Sequence, residues 1–258
     1  MKRIVLALVA ILIFGWIKFP FELRLDAEQR DAYFRGTRLD LSLREQVGQL
    51  GFLAALSGFR SIIAAVLWIE AHTAWEKTEW GRMAGLFRTV TTLQPRSLLY
   101  WDMAAWHMAW NASIAAFEDP EVPSEIIRQR NQQQYFQLGR DFLETGIRNN
   151  PDRFLLYERL GILLRDKFED SCGAAEAFLK ASEFPEAPSY VRRFAGYEMS
   201  KCPGREREAY EHLLHLYRQG EQQRLPSLVS YLIELEEKLG IPGEKRIQQP
   251  PQTDPIEQ

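Results

Sequence analysis

The stretch YERLGILLRDKFEDSCGAAEAFLKASEFP, Tyr157–Pro185, decides how the whole chain reads. Its apolar residues recur at helical rather than alternating intervals, and the polar run Glu169-Asp170-Ser171 divides it into two segments. In the second segment Ala174, Phe178 and Ala181 fall four and three residues apart, so they share one helix face. Small side chains at Ala174 and Ala181 let a neighbouring helix approach closely, and Phe178 fills the groove between the two. Pro185 stops the second helix. The stretch therefore predicts a helical hairpin.

Working outward, Pro95, Pro151 and Pro185 each close a predicted helix, and the last two lie 34 residues apart. Helical spacing runs from Leu41 to about Gly240, with Pro and Gly at hairpin intervals and no strand-like alternation. The Tyr157-x2-Leu160-Gly161 start, the Ala174-x3-Phe178-x2-Ala181 second helix and the 34-residue period resemble the tetratricopeptide-repeat superfamily. Phe87 and Val90 before Pro95 match the pattern partly, as do Gly139, Leu143 and Gly146 before Pro151. Those prolines lie 56 residues apart, a repeat plus 22 more, which places an insertion around Ala115–Asn131. A weaker unit follows: Ser189–Lys201, a Pro203-Gly204 turn, then Ala209, Leu213 and Leu216, with Arg224–Leu239 as a capping helix. The segments LSLREQVGQLGFLAALSGFRSIIAAVLWIEAH and LQPRSLLYWDMAAWHMAWNAS, within Leu41–Ser113, are similar to uncharacterised, N-terminally membrane-anchored bacterial proteins of this kind. The expected fold is an all-α, tetratricopeptide-like solenoid preceded by one transmembrane helix.

The expected domains are an anchor at 1–21, a charged linker at 22–40, the repeat domain at 41–240 and a disordered tail at 241–258. Met1-Lys2-Arg3 precedes an unbroken apolar run, Ile4–Ile17, whose 14 residues span roughly 21 Å as helix. That is the length of a signal-peptide core, but no small-residue cleavage pattern follows it. Extension to Phe21 gives about 27 Å, enough for an uncleaved anchor with Lys18 snorkelling. Lys2 and Arg3 then stay cytoplasmic, and the remainder lies on the extracytoplasmic side. A cleaved signal is the alternative. The second apolar stretch, Gly51–Ile69, carries Arg60 near its middle and reads as core helices Leu41–Leu56 and Phe59–Trp75. A second span or a membrane-dipping hairpin is its rival.

A net charge of −3 and a pI near 5.9 argue against nucleic acid as the main partner. Two cysteines exclude a disulfide framework and a four-cysteine zinc site. No nucleophile elbow, metalloprotease, P-loop, dinucleotide or haem motif occurs, so no catalytic residue, metal or cofactor is predicted and the chain reads as a non-enzyme. Six of the seven Trp lie between Trp68 and Trp110. The resemblance places Trp68, His72, Trp75, Asp102, Trp106, Trp110, Glu158 and Arg165 on a partner-binding groove; burial between hairpins is the competing role for the Trp. Stacked repeats bring Cys172 near Cys202, which leaves a disulfide or two thiols open. His212-x2-His215 share a face without a third ligand, and Asn111-Ala112-Ser113 matches the glycosylation pattern by coincidence. The expected role is protein–protein interaction in a bacterial envelope complex, against a binding module for a small molecule, glycan or lipid, or an unrecognised enzyme.

Overall fold

The computed structural model describes residues 58–247, and among them every regular element is a helix. The expected anchor, linker and Leu41–Leu56 helix, and the tail beyond Ile247, lie outside the described residues. Among the described residues no helix is long and apolar enough to cross a membrane. Two compact units divide at Asn150 and Pro151.

In the first unit α1 (Arg60–Glu76) packs along α2 (Trp80–Leu93). Next comes α3 (Leu98–Trp106), which runs through a π-helical segment, His107–Ala112, into the short α4 (Ser113–Phe117). This composite helix packs against α5 (Glu125–Asn149). The expected insertion is therefore mostly helix: its residues lengthen α4 and the start of α5, leaving a loop only at 118–124. Contact is closest at Gly139, where an added Cβ would lie 2.8 Å from the Ala109 Cβ. Phe87 of α2 is fully buried, its ring centroid 5.3 Å from Trp68, 5.6 Å from His107 and 6.5 Å from Phe142, so one side chain joins all the packed helices of the unit. Trp101 donates its indole N–H to the Pro95 carbonyl at 2.8 Å, and the Asn150 amide donates to the same oxygen at 2.9 Å. The Pro95 carbonyl thereby receives two donors, and Asn150 ties the end of α5 to the turn before α3.

The second unit contains α6 (Phe154–Lys167), α7 (Ser171–Ser182), α8 (Ser189–Lys201), α9 (Glu206–Arg218) and α10 (Pro226–Lys238). Each helix packs on the next, so that α8 lies between α7 and α9 and also touches α10. Ala174, Phe178 and Ala181 are fully buried in α7, and Asp170 caps that helix by accepting from the Gly173 N–H at 2.8 Å. Cys172 and Cys202 form a disulfide with their Cα atoms 5.0 Å apart, tying the start of α7 to the end of α8. Beyond α10 the chain stays packed to Ile247: Ile241 and Ile247 cover the α9–α10 core, and the Ile247 N–H donates to Glu236 at 2.8 Å. Residues 241–247, expected as part of the tail, therefore pack on the second unit.

Candidate functional site

The residues expected on a groove divide between the two units. In the first, Trp68, His72 and Trp75 come from α1, Asp102 and Trp106 from α3, and Trp110 from the π segment. Trp68 is partly buried and packs on Tyr100, ring centroids 5.0 Å apart, as well as on Phe87. It serves the core. Trp75 stacks on His72 at 5.2 Å and meets His107 edge-on at 5.9 Å, while Trp106 meets His107 edge-on at 4.9 Å. Asp102 and Trp110 are half-buried.

His107 is therefore enclosed by Trp75, Phe87 and Trp106. The Asn111 amide lies 3.0 Å from its Nδ1, an arrangement that places the imidazole proton on Nε2. Burial, reinforced by the charge of His72, pushes its pKa down to about 4, so the ring is neutral at physiological pH. Ser113 is fully buried and donates to the Ala109 carbonyl at 2.7 Å, so the Asn-Ala-Ser sequence is spent on packing.

A row of large apolar side chains runs along the composite helix at three- and four-residue intervals: Leu99, Met103, Trp106, Trp110, Ile114 and Phe117. Four of them remain exposed, with Trp106 at 43%. On one face of a helix such side chains mark a surface that meets another molecule or another part of the chain. Two clefts also open in this unit and use different residues. One, about 460 Å³, lies between α2 and α5 with Arg88, Thr91, Asp141 and Thr145 on its walls and Trp101 within. The other, about 790 Å³, is bounded by Trp80, the 118–121 loop and Tyr135. None of the eight groove residues lines either cleft.

In the second unit lies Glu158, which the sequence reading expects on the groove. It is 2% exposed and accepts the Tyr190 hydroxyl at 2.5 Å, with Arg159 at 3.6 Å. The bond fastens α6 to α8, and burial together with Glu158 pushes the Tyr190 pKa up to about 12. Arg165 is half-buried, pairs with Asp166 at 2.6 Å and lies over the Phe194 ring at 5.2 Å. Two further buried acids escaped the sequence reading. Glu236 accepts from Tyr210 at 3.3 Å, and Glu198 accepts from Lys201 at 2.8 Å while its Oε2 has no hydrogen-bond partner. No local signal separates these from surface glutamates.

His212 bonds to the Arg192 carbonyl at 2.8 Å and His215 lies 3.1 Å from Gln219, so the pair does not converge. Among the described residues no group of three or more His, Cys, Asp or Glu is arranged to hold a metal ion. Comparison with protein-family models, with curated proteins and with solved structures finds no match for the chain.

Proposed function

We propose that this chain is a membrane-anchored, extracytoplasmic scaffold of tetratricopeptide-like hairpins that binds a protein partner in a bacterial envelope complex. The observation that carries the reading is the exposed apolar row on α3–α4, above all Trp106, 43% exposed in a unit whose other aromatics are largely packed. Aromatic anchors of this kind hold partner segments through buried area at low entropic cost. Within the second unit each helix packs on the next, and Phe178 packs on Gly161 of the helix before it, which supports the repeat reading. A disulfide between Cys172 and Cys202 supports an oxidising compartment, as does the Met1–Phe21 sequence pattern.

The test is capture from solubilised native membranes beside thermal melting of the full chain. Wild type should recover one stoichiometric envelope protein. Trp106→Ala should weaken that capture tenfold or more and lower the melting temperature less than Phe178→Ala does, because its ring is 43% exposed although it borders His107. Undiminished capture by this variant would remove the row from the interface. A reporter fused at Gln258 should be active only outside the cytoplasm, and recovery of a soluble form beginning after Ile17 would remove the anchor. The cleft between α2 and α5 favours a second reading, small-molecule binding, since its volume falls within the usual range for ligand sites. Ordered ligand density against Trp101 would support it.

A further inference from the structure

We propose that the larger cleft of the first unit, about 790 Å³, binds a short neutral oligosaccharide between Trp80 and Tyr135. The cleft shares no residue with the apolar row on α3–α4, so the inference is independent of the partner reading.

Helical spacing builds the cleft. Asn131, Gln134, Tyr135 and Leu138 stand at intervals of three, one and three on α5, so a single face of that helix forms one wall. The α4 wall consists of Ala115 and Ala116, whose methyl groups leave room that larger side chains would fill. Trp80, the first residue of α2, adds a third wall. The 118–121 loop makes the fourth and is held in shape by its own bonds. Asp119 accepts the Glu121 N–H at 2.9 Å, and Arg128 donates to the Val122 carbonyl at 2.7 Å, which ties the loop to α5.

The chemistry of the walls selects the ligand. Trp80 and Tyr135 are half-buried, and among the described residues neither ring packs on another, whereas Trp68, Trp75, Trp101 and Trp106 all do. Such rings offer apolar surface to the C–H face of a sugar and a polar edge to its hydroxyls. Among the described residues the Trp80 indole N–H, the Tyr135 hydroxyl and the Asn131 and Gln134 amides have no hydrogen-bond partner. An amide both donates and accepts, and a carboxylate accepts charge-assisted bonds, so together they suit neighbouring hydroxyls on one sugar ring. Glu118, Asp119 and Glu121 line the cleft and no Lys or Arg does, so an anionic ligand is repelled. Only Ala115, Ala116, Pro120 and Leu138 are wholly apolar, which sets the cleft apart from a lipid site. Its volume falls within the usual range for small-ligand sites.

The test is titration calorimetry of the full chain, held in a detergent without a sugar headgroup. The probes are N-acetylchitotetraose, cellotetraose and maltotetraose, with tetragalacturonate and spermidine as charged comparisons. At least one neutral tetrasaccharide should bind, and tetragalacturonate should not. For the saccharide that binds, Trp80→Ala and Tyr135→Ala should each weaken affinity about tenfold or more, and Tyr135→Phe, which keeps the ring, should weaken it less. Ala116→Leu fills the cleft at a partly exposed position, so it should abolish binding while melting close to wild type. Failure of all three neutral probes would overturn the proposal, and binding of spermidine alone would give the cleft to a cation instead. Saccharide affinity left unchanged by both Trp80→Ala and Ala116→Leu would place the binding elsewhere and overturn it as well.

Discussion

A Cβ added to Gly161 would lie 2.8 Å from the Phe178 ring, so α6 and α7 meet with no space for a methyl group. Gly161→Ala gains helix propensity of about 1 kcal/mol but overpacks this contact, which costs about 1–3 kcal/mol. Phe178→Ala should cost about 3–5 kcal/mol by leaving a cavity. In the double variant the new methyl occupies part of that cavity, so the losses should sum to less than the separate values. Denaturant unfolding of the four proteins measures the coupling, and strict additivity would mean that the two residues do not share one contact.

The disulfide closes a loop of 30 residues between helices that also pack through their side chains. In the chain-entropy model that is worth about 3–4 kcal/mol. Reduction should lower the melting temperature substantially without changing the native helix content. Circular dichroism before and after reductant checks this, and unchanged melting would show that the loop is already constrained in the unfolded chain.

His107 supplies a pH dependence whose sign is set by its burial. With its pKa pushed down to about 4 from 6.5, the unfolded chain takes up a proton before the folded one does. Its stabilising contribution is complete above pH 6.5, declines as pH falls, and is gone below about pH 4. Between pH 7.5 and 5 the loss is about 2 kcal/mol. His107→Gln keeps a polar partner for Asn111 and cannot titrate, so its stability profile over that interval should be flatter than wild type. Parallel profiles would assign the acid sensitivity to other groups.

Glu158 and Glu198 are equally buried but differently paired, and their replacements should diverge. Glu158→Met strands the Tyr190 hydroxyl and should cost about 1–3 kcal/mol. Glu198→Met removes a carboxylate with one unsatisfied oxygen, whose desolvation offsets its bond to a half-exposed lysine, and should change stability by less than about 1 kcal/mol. Chemical denaturation at pH 7 separates the two. A large loss for Glu198→Met would show a water or a side chain serving that oxygen.

Local pattern alone determined where the helices lie. Ser189–Lys201 has the expected bounds, the core helix beginning at Phe59 differs from α1 by a residue at each end, and three helices end within three residues of Pro95, Pro151 and Pro185. These features are legible because helical periodicity and proline's missing N–H act over neighbouring residues. Phe178, Ala174 and Ala181 were legible as core for the same reason. What a polar or aromatic side chain does depends instead on which helix arrives opposite it. Trp68 and Trp106 read alike in sequence, yet Tyr100 and Phe87 cover the first while 43% of the second stays exposed. Glu158 is expected on a groove but meets Tyr190, 32 residues on, and becomes a tie between helices. His107 lost its charge because Trp75, Phe87 and Trp106 close around it from three different segments. Burial and desolvation are properties of that assembly, and only the tertiary structure decides them.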